Sequence, residues 1–114
     1  MSEEIVQKPW GTYQNLLDSD ECKVKKLVIK PNQRPSYQYH YKRTEVWVVV
    51  QGQGVVTIDE ADTEVGPESI VLVPVMSKHR IKNTGSEDLI FIEVQLGSYF
   101  GEDDIVRVSD DYGR

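Results

Sequence analysis

Cysteine is nearly absent. Cys22 stands alone in 114 residues, so no internal disulfide can staple the fold, and the chain suits a reducing compartment. Histidine is almost as scarce, with two residues, His40 and His79. No apolar run approaches the roughly 20 residues of a membrane-spanning helix. The start, MSEEIVQKPW, lacks the basic stretch and apolar core of a secretory signal. Basic residues are outnumbered, 13 Lys and Arg against 19 Asp and Glu, for a net charge of -6. That balance argues against a grip on nucleic-acid phosphates. Neither nucleic acid nor membrane is an expected partner, and the cytoplasm is the default location. The length allows one domain with a modest core.

What is present is a series of short β-rich runs divided by turn residues. Val24–Ile29 stops at Pro31-Asn32, and Glu45–Val50 ends at Gly52 and Gly54. Val55–Ile58, Ile70–Val73, His79–Lys82 and Leu89–Leu96 follow, each bounded by Asp, Pro, Asn or Gly. Such spacing predicts an all-β sandwich or barrel. No long 3.6-residue period appears, so helix should be minor. Residues 24–96 form the expected barrel core, with an N-terminal arm at 1–23. The acidic segment 97–114 is either an exposed tail or one folded back through Ile105, Val106 and Val108.

The stretch SYQYHYKRTEVW, residues 36–47, carries the chemistry. Read as a strand, Ser36, Gln38 and His40 share one face, and Tyr37, Tyr39 and Tyr41 share the other. The tyrosines are the expected packing face, which leaves Gln38 and His40 pointing inward. A hairpin would bring Glu45 beside His40. Two histidines with one carboxylate suit iron, manganese or zinc with open positions. The bland alternative is two histidines hydrogen-bonded at a barrel rim.

The spacing of Asn32, Gln38, His40, Glu45 and Gly52 resembles the first motif of the cupins. Asparagine stands for its first glycine and glutamine for its first histidine. Glu68, Pro74, Met76, His79 and Asn83 resemble the second motif, with Glu68 and Met76 in place of glycines. Lys8-Pro-Trp-Gly, SYQYHYKRTEVW, EVQLGSY and GEDDIVR…DDYGR are similar to the C-terminal domain of type II mannose-6-phosphate isomerases, from about Lys8 to Arg114. Such enzymes often add a mannose-1-phosphate guanylyltransferase domain. The resemblance implies a single-domain cupin, an antiparallel β-barrel or jelly roll, and a homodimer. It also implies a divalent metal, zinc first and otherwise manganese, iron, cobalt or nickel, on Gln38, His40, Glu45 and His79. Tyr41, Lys42 and Val46 depart from the family's histidine-rich pattern.

The implied activity is interconversion of mannose 6-phosphate and fructose 6-phosphate through an enediol. Two alternatives stay open: a non-catalytic sugar-phosphate binder and a cupin oxygenase. Glu93 is the candidate base. Lys42, Arg43 and Arg107 are candidate phosphate contacts, and Gln95 shares the face of Glu93 as a further substrate contact. Lys78 and Arg80 should point away from His79, outside the barrel. Trp10 and Trp47 are expected to pack.

Overall fold

A computed structural model describes residues 4–113. Eleven strands and no helix occur among them. In chain order they are β1 (Ile5–Lys8), β2 (Gly11–Asp18), β3 (Cys22–Ile29), β4 (Tyr37–Tyr39), β5 (Arg43–Gln51) and β6 (Gly54–Ile58). β7 (Ala61–Val65), β8 (Ile70–Val73), β9 (His79–Asn83), β10 (Leu89–Gly97) and β11 (Val106–Ser109) follow. Two antiparallel sheets face each other, ordered β1-β2-β3-β10-β5-β8 and β11-β4-β9-β6-β7. The all-β expectation therefore holds.

Register divides the inner face of the larger sheet into two ends. Leu27 stands opposite Phe91 and Phe91 opposite Val49, while Ile29 pairs with Leu89. These residues, with Trp10, Trp47, Val56 and Ile81, make the apolar core. Toward the other end, Lys25 pairs with Glu93 and Glu93 with Trp47; Lys23 pairs with Gln95 and Gln95 with Glu45. Strict alternation thus carries polar side chains inward at that end.

Three expectations need correction. The N-terminal arm is instead a β1-β2 hairpin joined to β3, so the sheet extends beyond residues 24–96. Its polar strands gave no alternating signal, and Trp10 at its turn plugs the core with 5% exposure. β4 and β5 are not a hairpin. They lie in different sheets, and the chain crosses between them at residues 40–42. The tyrosines are not a single packing face. Tyr37 is buried, exchanging hydrogen bonds with the Glu60 side chain and amide, whereas Tyr41 is 55% exposed.

The acidic segment folds back, with β11 pairing to β4. Ile105 and Val106 are half-buried, while Val108 points out. No helix among the described residues is long and apolar enough to cross a membrane.

Candidate metal centre and cavity

The crossing from β4 to β5 and the start of β9 bring three buried side chains together. One ligand atom each from His40, Glu45 and His79 lies within 4.8 Å of the others. His40 Nδ1 is 2.6 Å from the Asp104 carbonyl oxygen, and His79 Nδ1 is 2.9 Å from that of Ser77. A carbonyl only accepts, so both Nδ1 atoms carry the proton and both Nε2 lone pairs face the cluster. His79 Nε2 is buried with no hydrogen-bond partner among the described residues. Burial, with Arg43 and His79 adding to it, lowers the His40 pKa to about 4, so its ring is neutral. Two imidazoles oriented by their Nδ1 contacts and a carboxylate, one imidazole nitrogen without a hydrogen-bond partner among the described residues, fit a borderline divalent cation.

Glu45 is the anionic element. Burial alone would raise its pKa, but His79, Arg43 and His40 hold it at about 2. Trp47 Nε1 donates to its Oε1 at 2.9 Å, and Arg43 Nε donates to its Oε2 at 2.8 Å. Arg43 Nη2 also stands 3.3 Å from His40 Nε2, beside the lone pair a metal would take. Arg43 is therefore a buried partner of the cluster and not a solvated turn residue. Gln38 enters from β4 opposite His79, with its Oε1 accepting from Ser36 Oγ at 2.9 Å.

His40 and His79 line a cavity of about 160 Å³ between the sheets, and the wholly buried Glu45 lies against them without lining it. Five cationic side chains line it, Lys8, Lys25, Arg43, Arg80 and Arg107, against two acidic ones, Glu93 and Glu102. Glu93 is fully inward. Burial first, then the charge of Glu45, pushes its pKa up to about 8. Gln95 Nε2 donates to Glu93 Oε2 at 2.6 Å. Lys25 Nζ reaches Glu102 at 2.6 Å and lies 4.3 Å from the centre of the Tyr13 ring.

Several expected contacts lie elsewhere. Lys42 is exposed over the Tyr99 ring and does not line the cavity, because the crossing strand turns it outward. Gln95 is wholly buried behind Glu93 and orients that carboxyl without touching the cavity. Arg107 does line the cavity, opposite Gln38 in register, and among the described residues it pairs with neither Asp103 nor Asp104. Arg80 also lines it, contrary to simple alternation on β9, because its long side chain curls over the Pro35 carbonyl. Lys78 stays outside, paired with Glu60.

Sequence reasoning missed Lys8, Lys25, Glu102 and Asp104. Lys25 was legible in principle, since it shares the parity of the buried Ile29 on β3. Asp104 accepts from the Tyr41 and Lys42 amides while its carbonyl holds His40, a contact 64 residues away in sequence.

Residues 2–110 match the protein family described as mannose-6-phosphate isomerase C-terminal. The alginate biosynthesis protein AlgA of Pseudomonas aeruginosa is 42% identical over 109 residues, which cover 96% of this chain and 23% of that protein. A mannose-1-phosphate guanylyltransferase of Escherichia coli K12 is 41% identical over the same shares. The chain thus spans about a quarter of the length of these relatives. Among solved structures, oxalate decarboxylase from Bacillus subtilis superposes with a TM-score of 0.83 at 17% identity, covering 93% of this chain and 30% of that one. The Cnp3 cupin domain of Schizosaccharomyces pombe gives 0.77 at 14%, covering 82% and 68%. At such identities these likenesses establish the cupin fold alone.

Proposed function

From a chain that belongs to the mannose-6-phosphate isomerase C-terminal family, we propose a metal-dependent isomerase acting on mannose 6-phosphate and fructose 6-phosphate. The observation that carries this reading is a cation-lined cavity, in a chain of net charge -6, that reaches His40 and His79, which cluster with the buried Glu45, beside the buried acid Glu93. A dianionic phosphate suits the Lys25, Arg80 and Arg107 side, and the sugar carbons then face Glu93.

A divalent metal on His40, Glu45 and His79, with Gln38 as a fourth donor and zinc as the first choice, would supply Lewis acidity toward the sugar carbonyl. Glu93 moves the proton. Burial raises its pKa above the ordinary carboxylate value, which favours proton exchange near neutral pH. It takes the proton from one of the adjacent carbons C1 and C2 and returns it to the other, through an enediol, while the hydroxyl proton passes between the oxygens on those two carbons. Gln95 holds Glu93 Oε2 in place, and Trp47 with Arg43 fixes Glu45. The core aromatics Trp47 and Phe91, 5.0 Å apart, close the inner wall against water.

The test is turnover of mannose 6-phosphate by protein loaded in turn with zinc, manganese, iron, cobalt and nickel. Glu93→Gln should keep the metal and lose turnover. No turnover with any of the five overturns the proposal.

One observation favours a second reading. Arg43 already gives Glu45 and His40 a cationic partner, as a sugar-phosphate binding module without metal chemistry would need. Calorimetry distinguishes the two. Binding of mannose 6-phosphate to chelator-treated protein, unchanged by added metal and without turnover, selects the binder.

A further inference from the structure

A phosphate entering the cavity meets a Lys25 ammonium that is already paired. Lys25 Nζ lies 2.6 Å from Glu102 Oε2, and the same oxygen lies 3.2 Å from Lys23 Nζ. The three side chains differ in depth. Those of Lys23 and Lys25 are 8% and 6% exposed, and that of Glu102 is 52% exposed. Strand β3 accounts for the lysines. Lys23 and Lys25 share its inner face with the core residue Ile29, so alternation buries both ammonium groups. Two buried cations need a counter-anion. Glu93 stands opposite Lys25 in register, but the two form no ion pair among the described residues. The counter-anion is Glu102, 77 residues further along the chain, between β10 and β11.

The backbone is pinned on both sides of Glu102. The Ser98 amide donates to the Lys42 carbonyl at 3.1 Å, and the Asp104 amide to that of Gly101 at 3.2 Å. The Asp104 carboxylate accepts from the Tyr41 and Lys42 amides, at 3.0 Å each. The Glu102 side chain is held less firmly. Both lysine contacts fall on one oxygen, and about half of its surface meets solvent. It can swing outward about its own χ angles while the loop stays in place. The surroundings set the direction of exchange. Lys25 and Glu102 line the cavity between the sheets, whereas Lys23 lines a second hollow, of about 320 Å³, with Asp18, Asp20 and Phe100. Glu102 Oε2 therefore bridges the walls of the two. Asp18 and Asp20 repel an anion arriving through the second hollow, while Arg80 and Arg107 draw one into the first.

Resting on the sugar-phosphate reading of the cavity, we propose that Lys23 and Lys25 are the subsite for the ligand's phosphate group and that the Glu102 carboxylate is its resident occupant, displaced into solvent when phosphate binds. Lys23 thereby joins the site although it does not line the cavity. The exchange leaves neither buried ammonium unpaired. A carboxylate brings one negative charge to the two lysines, on a single shared oxygen. A phosphate monoester brings nearly two, on three oxygens, so each lysine gains an oxygen of its own. Glu102 also acts as a filter. A neutral sugar has no anion to exchange for it, and every phosphate ligand is weakened by the same factor, the fraction of chains in which Glu102 is swung away.

Calorimetry on the full chain at fixed ionic strength tests this, with inorganic phosphate, mannose 6-phosphate and mannose as probes. Glu102→Gln should bind both phosphate probes roughly fivefold more tightly than the wild type and mannose no differently. Adding Lys23→Met to Glu102→Gln should abolish the gain. Glu102→Asp keeps the charge and shortens the reach; it should show a smaller gain, and it carries the test if the amide variant fails to fold. Asp103→Asn removes the same charge one residue away and should leave phosphate affinity within about twofold. An equal gain in Asp103→Asn overturns the proposal, because long-range charge then explains it. A gain with inorganic phosphate alone overturns it too, since the lysines would hold an anion apart from the sugar. A wild type that binds mannose 6-phosphate, with no gain in either Glu102 variant, overturns this inference and leaves the proposed function standing. Failure of wild type and variants alike to bind mannose 6-phosphate overturns both.

Discussion

Glu93→Gln should change how stability depends on pH in chelator-treated protein. The Glu93 carboxyl titrates near 4.5 when unfolded and near 8 when folded, raised first by burial and then by Glu45. Between those values the folded chain holds a proton that the unfolded chain has released. Stability therefore falls as pH rises, by about 1.4 kcal/mol per pH unit for that one proton. His40 acts in the opposite sense. Lowered from 6.5 to about 4, chiefly by burial, it stays neutral in the folded chain while the unfolded chain binds a proton. Its contribution rises with pH over that interval at the same slope. Glu45, held at about 2 against the effect of burial, titrates below both. The two slopes cancel from about 4.5 to 6.5, and above that Glu93 acts alone. The wild type should thus hold a plateau and then lose about 2 kcal/mol between pH 6.5 and 8. Glu93 and Glu45 also share a side-chain hydrogen bond; in the variant, the amide oxygen still accepts from Gln95 and the amide nitrogen takes the protonated carboxyl's place as donor to Glu45. It should stay level over the same interval, gaining about 1.4 kcal/mol on the wild type per pH unit. Urea denaturation near pH 5, 6.5 and 8 measures this. Wild-type and variant curves that stay parallel from 6.5 to 8 would refute the assignment of the buried proton to Glu93.

Three further outcomes are expected. Glu68 is exposed at φ 73; releasing about 1–2 kcal/mol of left-handed strain against about 0.4–1 kcal/mol of unfolded-chain entropy, Glu68→Gly should stabilise by about 0.5–1 kcal/mol. Glu68→Ala should not, and equal melting temperatures for the two would remove the strain argument. Asp104→Ala frees the amides of Tyr41 and Lys42 that anchor the loop bearing His40, so calorimetry should show metal affinity reduced about 10- to 100-fold. Glu102→Gln leaves buried Lys23 and Lys25 without their shared carboxylate. The loss should be about 1 kcal/mol, limited because Glu102 is half-exposed. Inorganic phosphate should then raise the variant's melting temperature more than the wild type's.

The strands with strong apolar runs were legible because burial on a pleated surface leaves a compositional trace. β2 and β7 were not. Gly11–Asp18 holds Thr, Gln, Asn and Asp, and Ala61–Val65 is exposed over its first four residues, so pairing with a neighbour decides their conformation. The clustering of His40, Glu45 and His79 was legible through spacing, since His40 and Glu45 flank a crossing of fixed length. The cavity's charge was not. Lys8, Lys25 and Arg107 come from three strands with no common sequence window, and long side chains such as Arg80 bend past the face their backbone assigns.

The substituted motif glycines show which part of a motif is physical. Asn32, Glu68 and Met76 keep φ of 65°, 73° and 71°, the left-handed region where glycine is easiest. What persists is a demand on the backbone, and the residue type is one way of meeting it. At Met76 that demand has a local purpose. Its amide donates to the His40 carbonyl at 2.9 Å, joining the loop before His79 to the crossing that carries His40. The segments that carry His40 and His79 are thereby set against each other. A side chain at Met76 adds strain to this bridge without opening it, because a half-exposed methionine can extend into solvent. Reading the position as a lost glycine would predict a loosened His79. Reading it as a retained left-handed turn predicts the oriented, buried imidazole that is found.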